Sequence, residues 1–531
     1  MTILGWFLFF IAIQILHFVS TWKLYIRAGR KSWEALIPVY NALVLMTIIN
    51  RPKWWTILLF LPVVNLIMFP VVWVETIRSF GKNSTADTLL VLFSFGLYIA
   101  YLNYADTPDY IKNRDINAKA GIQDTIGSLL YAIVFATIVH TYFMQPFTIP
   151  SSSLEKSLLV GDFLLVSKFH YGARIPMTTV ALPMVHDTVP VLKKKSYLFD
   201  DNLAEKETSW KNFFQLPYLR LPGFQTIKHN DIVVFNQPAD TLLDMNNFSP
   251  ERNYYKPVDK KTNLVKRCVG IPGDILELKN GHVFINGKES RLPDRAKLQF
   301  AYVIKFKMQP TSEQQVSDIL KLYDITDGIG YDQKSGNYFV QATAENAAKA
   351  RNNPYIESLE LKKLANGDGD PRIFPQSSLY QWNSHFFGPV YIPEKGKTVN
   401  LDLKVLPLYK RLITTYEGHK LSVKGNQIFI DGLPAKTYTF KQDYYWMMGD
   451  NRDNSIDARY WGFVPFDHVI GKPVFIWLSL DPNGKGINKV RWDRMFTTVS
   501  GDGKALSFFP YFIAILIIFT IYKQYKKRKS T

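Results

Sequence analysis

An apolar run of membrane-spanning length, from about residue 122 to residue 143, leads almost directly into three consecutive serines at positions 151–153. Pro146 and Pro150 end any helix before the serines, because proline lacks an N–H and holds the residue before it in an extended conformation. A serine hydroxyl on such a stiff segment beside a membrane is a plausible nucleophile. A serine-rich loop after a helix is commoner, so this stretch alone leaves both interpretations open.

Composition points to a membrane protein. The chain has 531 residues, room for two to four domains, and its aromatic content of 15% is concentrated in apolar runs near both ends. The formal net charge of +18 comes from basic residues that often flank apolar runs, as in residues 523–529. This pattern suits anionic headgroups and the positive-inside rule, and it argues against nucleic-acid binding. The single cysteine, Cys268, excludes an intramolecular disulfide and is expected to be a buried packing residue.

Several apolar runs predict membrane helices. Residues 3–20 are followed, not preceded, by basic residues, so they predict an anchor rather than a cleaved signal peptide. Residues 34–49 are short and contain Pro38, which favours an interfacial or re-entrant helix. Further spans are predicted at residues 54–73, 89–104, 122–143 and 506–522.

Basic residues orient the helix that leads to the serines. Lys112, Arg114 and Lys119 precede it and mark a cytoplasmic loop. Residues 146–504 are therefore expected outside the cytoplasm, and the lysine-rich C-terminus inside.

The region after the serines predicts a β domain. Short β-branched or aromatic runs occur at residues 231–235, 275–278, 282–285 and 474–478. Residues 276–287 and 421–432 each have the pattern of a hairpin. Together they favour a twisted, barrel-like antiparallel sheet.

Residues 298–365 have a different pattern. Strands are predicted at 302–308, 338–342 and 355–361, and helices at 311–323 and 343–352. This β-α-β-α-β order indicates a small α/β insertion within the β domain. Its role is open between a contact surface for substrate or partner and a passive elaboration.

Four stretches resemble the ordered sequence boxes of type I signal peptidases, which are membrane-bound Ser/Lys proteases. They are Ile149-Pro150-Ser151-Ser152-Ser153, residues 231–235, the Lys266-Arg267-Cys268-Val269-Gly270 run that continues to Asp274, and the Gly449-Asp450-Asn451-Arg452-Asp453-Asn454-Ser455 run that continues to Pro465. The match covers residues 122–185, 229–292 and 418–481.

The resemblance implies that Ser153 is the nucleophile and Lys266 the general base. A lysine accepts a proton only when it is neutral, and its ordinary pKa is about 10.4. Burial among apolar groups disfavours the ammonium and lowers this pKa by up to several units. By spacing alone, a strand lysine that faces water is the favoured interpretation of Lys266.

The resemblance also assigns supporting roles. Ser151 would add its hydroxyl to the Ser153 N–H as an oxyanion hole. Ser455 would hydrogen-bond and orient the lysine. Two ion pairs would support the site: Asp457 with Arg459, and Asp450 with Arg267.

The residues themselves offer three other candidate bases, Lys156, His170 and His229, of which the two histidines are disfavoured. Ser153-Leu154-Glu155-Lys156 spells Ser-x-x-Lys, as in penicillin-binding enzymes, although the Ser-Asp-Asn and Lys-Thr-Gly companions are absent from the sequence. His170 and His229 are the histidines near the boxes, and neither comes with the motif of a Ser-His-Asp triad. The family usually has glycine at the position of Ser152, and the resemblance still assigns the nucleophile to Ser153.

These observations predict helical membrane segments joined to a mainly β, barrel-like antiparallel catalytic domain with a small α/β insertion. The expected segments are a multi-span membrane region at 1–120, a membrane helix at 121–145, the catalytic β domain at 146–297 and 418–504, the insertion at 298–417, and a C-terminal membrane helix with a basic tail at 505–531.

The expected activity is a signal peptidase that removes N-terminal signal peptides from exported preproteins after small residues of the Ala-X-Ala type. No cofactor and no metal motif is expected. The expected location is the cytoplasmic (inner) membrane, multi-pass, with the catalytic domain extracytoplasmic. The expected partners are signal-peptide-bearing preproteins, the lipid bilayer and the protein export machinery. A cell-wall acyl hydrolase and an inactive preprotein-binding scaffold are the alternatives.

Overall fold

The computed structural model describes residues 2–116, 122–238, 255–310 and 312–530. The chain forms two compact units. The first comprises Met1–Phe143, Arg174–Leu221 and Thr241–Lys260, and the second comprises Met144–Ala173, Pro222–Asp240 and Lys261–Thr531. Lys119 and the predicted boundary at residues 120 and 121 lie outside the described residues.

The first unit contains seven α-helices among its described residues. They are α1 (Ile3–Arg27), α2 (Tyr40–Ile48), α3 (Trp55–Leu58), α4 (Asn65–Ser79), α5 (Thr85–Phe93), α6 (Tyr98–Tyr104) and α7 (Ile122–Ile138), the last continued by a π-helical turn, Val139–Phe143. Their apolar side chains form one buried cluster. Asn103 is buried within this unit, where its Oδ1 accepts hydrogen bonds from the N–H groups of Lys23 and Leu24. A buried amide needs such partners, so Asn103 ties α6 to α1.

The predicted membrane helices are confirmed only in part. In the described part of the chain, one helix, α1, is long and apolar enough to cross a membrane. The predicted span at 54–73 is wrong as a single helix, because the chain breaks between α3 and α4 around Pro62, a residue that ends helices. The predicted span at 89–104 is α5 and α6, bent by 112° and counted as a second candidate only if the pair is one span. The apolar run before the serines appears as a shorter apolar helix, Gly127–Phe143.

The second unit is built mainly of β-strands. The strands are β1 (Met144–Thr148), β2 (Asp162–Ser167), β3 (Ile232–Asn236), β4 (Asn263–Gly270), β5 (Ile275–Lys279), β6 (His282–Ile285), β7 (Lys288–Glu289), β8 (Phe300–Phe306), β9 (Asp327–Asp332), β10 (Asn337–Ala342), β11 (Ile356–Leu361), β12 (Phe387–Tyr391), β13 (Thr398–Asn400), β14 (Leu421–Lys424), β15 (Gln427–Ile430), β16 (Leu433–Pro434), β17 (Thr437–Thr439), β18 (Tyr444–Met448), β19 (Val464–Pro465), β20 (Val469–Ser479) and β21 (Thr497–Thr498). The α-helices are α8 (Glu313–Lys321), α9 (Ala344–Ala350), α10 (Leu406–Arg411), α11 (Ala458–Trp461) and α12 (Phe509–Ser530).

The main sheet is antiparallel and curled, in the order β1-β2-β20-β3-β4-β18-β19, with β21 paired to β20. Strand β3 is buried on both faces, because Val233 and Phe235 pack into one apolar cluster while Ile232 and Val234 pack into another. Such alternation places successive side chains on opposite faces of a strand. The predicted antiparallel β domain is confirmed, and the predicted strand at 474–478 lies in the second half of the eleven-residue β20.

The predicted hairpins are also present. Residues 276–287 contain β5 and β6, and residues 421–432 contain β14 and β15. Each hairpin belongs to a small sheet of its own rather than to the main sheet.

The insertion between β7 and β12 has its own four-stranded sheet, in the order β11-β8-β10-β9, and its own apolar core. The predicted order of three strands and two helices missed β9, which makes the observed order β-α-β-β-α-β. The sequence of β9 is Asp-Gly-Ile-Gly-Tyr-Asp, and glycine and aspartate are depleted in strands. Because β9 lies at the edge of the sheet, it needs little propensity of its own to pair with β10.

Candidate active site

A short loop between β1 and β2 carries the three serines. Its ends are closed by two backbone hydrogen bonds, Ile149 N to Asp162 O (2.9 Å) and Gly161 N to Ile149 O (3.0 Å). Leu154 and Leu158 anchor the loop in an apolar cluster of the second unit. Gly161 has φ +88°, and a Cβ there would lie 1.9 Å from the carbonyl oxygen of Leu480, so only glycine fits. Ser153 is thereby held half-buried in a 3₁₀ turn, Ser152–Leu154.

Lys266 lies in β4, between β3 and β18, and reaches the serine loop. Its Nζ donates a hydrogen bond to Ser153 Oγ at 2.5 Å. The side chain is only 4% exposed, and burial lowers the pKa of Lys266 to about 8, with Asp457 and Asp450 opposing this shift. A lysine with this pKa is partly neutral at mildly alkaline pH and can then accept a proton.

Two buried ion pairs hold the loop that follows β18. Arg267 donates to both carboxylate oxygens of Asp450, through Nε at 2.7 Å and Nη2 at 2.6 Å. Arg459 makes the same bidentate contact with Asp457, both bonds at 2.9 Å. Burial disfavours each ionised carboxyl, but the paired arginine holds the pKa of Asp450 and of Asp457 below the usual range. Bidentate pairs of this kind are strong and directional, so they define the path of the loop.

Asp457 also connects this loop to the serines. Its Oδ2 accepts a hydrogen bond from Gly449 N at 3.0 Å. Gly449 in turn lies against the carbonyl of Ser153, since a Cβ added to it would be 2.5 Å from Ser153 O. Six of the predicted residues therefore lie close together, around the serine loop and the loop that follows β18. They are Ser153, Lys266, Asp450, Arg267, Asp457 and Arg459.

Ser455 and Ser151 differ from their predicted geometry. Ser455 Oγ is buried and makes no hydrogen bond with any described residue, so the expected bond to Lys266 is not made here. The lysine Nζ is instead directed to Ser153. Ser151 is exposed and extended at the start of the 3₁₀ turn, and its side chain does not cap that turn.

The alternative bases have other partners. Lys156 Nζ contacts Asp324 Oδ1 at 2.6 Å, which puts it in an ion pair. His170 Nδ1 lies 2.6 Å from Ser167 Oγ, and His229 Nε2 lies 2.6 Å from Asp274 Oδ2. Lys266 is the basic side chain that contacts Ser153.

Two asparagines were missed by the sequence interpretation. Asn451 donates from its backbone N to Ser153 O (3.1 Å) and from Nδ2 to Ser152 O (3.1 Å). Asn454 Nδ2 donates to Ser152 Oγ at 3.0 Å. Both lie in the 449–465 stretch, but asparagine is an ordinary turn residue, so only its position within that stretch could have marked it.

Comparison with known proteins finds two protein families that match parts of the chain. Residues 33–113 match a family of unknown function, DUF5684. Residues 122–348 and 432–478 match the family described as signal peptidase, peptidase S26.

Individual relatives agree with this match. The chain is 24% identical over 416 residues to a signal peptidase I of Buchnera aphidicola, covering 75% of this chain and 93% of the relative. It is 23% identical over 385 residues to a signal peptidase I of Helicobacter pylori, covering 70% and 92%. It is 21% identical over 442 residues to a signal peptidase I of Pseudomonas aeruginosa, covering 80% and 97%. Since the family match spans more than half of its residues, the chain belongs to the signal peptidase family, peptidase S26.

Proposed function

We propose that this protein is a membrane-bound serine endopeptidase that removes N-terminal signal peptides from exported preproteins. Ser153 is the nucleophile and Lys266 the general base. The observation that carries the proposal is the 2.5 Å contact between Ser153 Oγ and the Nζ of a lysine that is only 4% exposed. A serine needs such a base, and a lysine needs such burial to be one.

The reaction follows from this pair. Neutral Lys266 takes the hydroxyl proton while Ser153 Oγ attacks the scissile carbonyl, which forms a tetrahedral oxyanion. Collapse of that intermediate breaks the C–N bond, and Lys266 returns the proton to the leaving amine. An acyl-enzyme remains on Ser153. A water molecule then loses a proton to Lys266 and attacks the ester carbonyl. Collapse of this second intermediate breaks the bond to Ser153 Oγ, which takes the proton back from Lys266, and the signal peptide leaves as a carboxylic acid that ionises in water.

The oxyanion is stabilised by the N–H of Ser153 and the hydroxyl of Ser151. Each such donor is typically worth about 3 kcal/mol of transition-state stabilisation. The exposed, uncapped side chain of Ser151 is available to turn toward a bound carbonyl. In the proposed mechanism, Ser455 hydrogen-bonds to the Lys266 side chain and orients it when substrate is bound. The Asp450–Arg267 and Asp457–Arg459 pairs keep the loop after β18 pre-organised.

The site serves substrates at the membrane surface. The apolar helix α1 supports attachment to the bilayer, and we extend this to a multi-pass arrangement in the cytoplasmic membrane with the catalytic unit on the extracytoplasmic side. Partners are preproteins, the lipid bilayer and the export machinery. Cleavage follows small residues of the Ala-X-Ala type. The ion pair between Lys156 and Asp324 gives Lys156 a role other than base, which disfavours the cell-wall hydrolase alternative.

The test is cleavage of a purified preprotein by the full chain in detergent, with the cut position read by mass spectrometry. We expect one cut after an Ala-X-Ala sequence, none with Ser153→Ala, and none when the alanine before the bond is replaced by leucine. A folded parent protein that leaves every preprotein intact would overturn the proposal in favour of a binding scaffold. Continued cleavage by Ser153→Ala would assign the nucleophile elsewhere.

Gly449 gives a further prediction. A Cβ at this position would lie 2.3 Å from Ser455 Oγ and 2.5 Å from Ser153 O, so Gly449→Ala must displace the nucleophile loop. A displacement of this kind at a catalytic residue costs about 10²-fold in rate. We expect kcat/KM on the preprotein to fall by that factor. Gly330→Ala is the matched control, because nothing lies within 4 Å of a Cβ there, and it should match the parent. Equal activity of Gly449→Ala and parent would contradict the prediction.

A further inference from the structure

The α/β insertion contacts the site at two places, the first of which is its root. Gln299, just before β8, pairs with the loop after β18: its N–H donates to Asp450 O at 3.0 Å, and Arg452 N donates to Gln299 O at 2.8 Å. The next contact along the chain is Ala301 N to Asp453 Oδ2 at 2.9 Å. The insertion therefore begins with a single parallel β-bridge, Gln299 with Asn451, to the loop after β18.

The second contact is made by the segment that enters β9. One oxygen of Asp327, Oδ2, accepts hydrogen bonds from Asn451 Nδ2 at 2.6 Å and from Asn454 Nδ2 at 3.2 Å. Ile325, two residues earlier, is fully buried in the core of the insertion. That core therefore holds Asp327 in place from behind.

Asn451 and Asn454 connect Asp327 to the nucleophile turn, the 3₁₀ turn Ser152–Leu154 that carries Ser153. Asn451 is fully buried, and its side-chain amide donates to both Asp327 and the carbonyl of Ser152, while its backbone N–H donates to Ser153 O. Asn451 Oδ1 has no hydrogen-bond partner among the described residues, so this amide is oriented through its Nδ2, by the carboxylate of Asp327 together with the carbonyl of Ser152. Charge-assisted hydrogen bonds are about twice as strong as neutral ones, which makes Asp327 an effective anchor.

The same segment supports the other side of the turn. Lys156 follows Ser153 by three residues and has φ +69°, a left-handed conformation that is unfavourable for a lysine. Its Nζ contacts Asp324 Oδ1 at 2.6 Å and Thr326 Oγ1 at 3.2 Å. Residues 324–327 thus support both flanks of Ser153, directly at Lys156 and through the two asparagines at Ser152.

We infer that the α/β insertion positions the nucleophile, with Asp327 acting as a positioning residue through Asn451 and Asn454. The insertion is then part of the machinery of the reaction, and its edge strand β9 is the element that carries the contact. This inference rests on the proposed peptidase function.

The kinetic test compares Asp327→Asn and Asp327→Glu with the parent on the preprotein. Asp327→Asn keeps the size of the side chain but loses the charged acceptor, so we expect kcat to fall about tenfold with KM changed less than twofold, the signature of an interaction that acts in the transition state. Asp327→Glu should recover most of kcat. Asp332→Asn is the matched control at the far end of β9, where the carboxylate accepts hydrogen bonds, among the described residues, from Lys334 and Ser335 of its own turn, and it should match the parent.

A double variant separates positioning from general weakening of the fold. If Asp327 acts through Asn451, adding Asp327→Asn to Asn451→Ala lowers kcat no further, whereas independent structural effects would add. Parent-like kcat for Asp327→Asn, or additive losses in the double variant, would overturn the inference.

Hydrogen exchange tests the contact without reference to catalysis. The amides of Glu155, Ser157 and Leu158 are hydrogen-bonded within the turn, so loosening the turn exposes them. We expect exchange in residues 151–158 to be at least threefold faster in Asp327→Asn than in the parent and in Asp332→Asn. Unchanged exchange would overturn the inference even in a chain that cuts preproteins. If exchange is faster in Asp327→Asn than in the parent, but the parent cuts no preprotein, the contact is retained and the proposed peptidase function is rejected instead.

Discussion

Replacing Lys266 with methionine is expected to lower kcat/KM on a preprotein by about 10³-fold or more. Methionine fills a similar volume but has no amine to take the proton of Ser153, and general-base catalysis typically contributes 10²–10⁴-fold. Lys261→Met is the matched control, because Lys261 is also buried, just before the same strand, and its Nζ contacts the carbonyl of Pro238. Cleavage by Lys266→Met at more than a tenth of the parent rate would contradict the role of Lys266 as base.

The same lysine determines how activity depends on pH. Only the neutral amine accepts a proton, and burial lowers the pKa of Lys266 to about 8. We therefore expect kcat/KM to rise tenfold per pH unit below about pH 8 and to level off above it. A plateau that extends unchanged down to pH 6 would show that a group other than Lys266 limits the reaction.

Stability should change in the opposite sense to activity when Lys266 is removed. Between about pH 8 and pH 10.5 the unfolded chain binds a proton at Lys266 that the folded chain does not bind, so stability rises with pH in this window. Below pH 8 the cost of burying the charge is fully present and amounts to about 3 kcal/mol. Lys266→Met removes this cost, so its melting temperature in detergent should exceed that of the parent at pH 7, and the difference should shrink toward pH 10.5.

The second large effect is expected at the ion pair between Arg267 and Asp450. Its side chains are 2% and 0% exposed, so Asp450→Ala leaves a buried guanidinium without its carboxylate. Breaking a buried pair in this way costs about 3–5 kcal/mol. We expect a clear fall in melting temperature and loss of cleavage, since Asp450 also accepts a hydrogen bond from Ser157 in the serine loop at 2.5 Å.

Two comparisons sharpen this prediction. Arg267→Met combined with Asp450→Leu removes both charges, and it should be more stable than Asp450→Ala alone, because an apolar pair leaves nothing uncompensated. Asp370→Ala breaks the partly exposed pair with Arg372, whose side chain is 66% exposed, and should cost no more than about 1 kcal/mol. Equal destabilisation by Asp450→Ala and Asp370→Ala would show that burial of the Arg267–Asp450 pair does not increase its effect on the free energy of unfolding.

Acid is expected to destabilise the folded protein by protonating Asp450 of the same ion pair. Burial opposes ionisation of Asp450, but Arg267 holds its pKa below the usual range. Its contribution to stability is therefore present above the unfolded pKa of about 3.9 and is lost as the pH falls through the lower folded value.

Much of this architecture could be predicted from the sequence where local chemistry determines it. Proline before the serines, glycine at position 161 and the β-branched runs predict an extended segment, a turn and strands, and these are present. Strand β9 could not be predicted, because it forms through pairing with β10 rather than through its own propensity. The break around Pro62 had a signal in the sequence, because proline ends helices, whereas the bend near Phe95 lies within an apolar run and is revealed by backbone geometry.

Part of the candidate site could likewise be predicted from the sequence, and part could not. Ser153, Lys266 and the two ion pairs follow from the resemblance of whole stretches, since those residues lie inside the matched boxes. The contact of Asp327 with Asn451 could not be predicted, because it joins the catalytic loop to an insertion that the matched boxes do not include. Long-range contacts of this kind depend on tertiary packing, which periodicity does not encode.

The residues of the site are spread along the chain, and this spacing has a consequence for biogenesis. Ser153 and Lys266 are synthesised long before Asp457 and Arg459, the pair that braces them. At a synthesis rate of about 5–20 residues per second, the interval between Lys266 and Arg459 is on the order of 10–40 s. During this interval a nascent chain carries Ser153 and Lys266 without the loop that contacts them in the folded structure. Under the proposed function, we expect proteolytic competence to appear only after Arg459 has been synthesised.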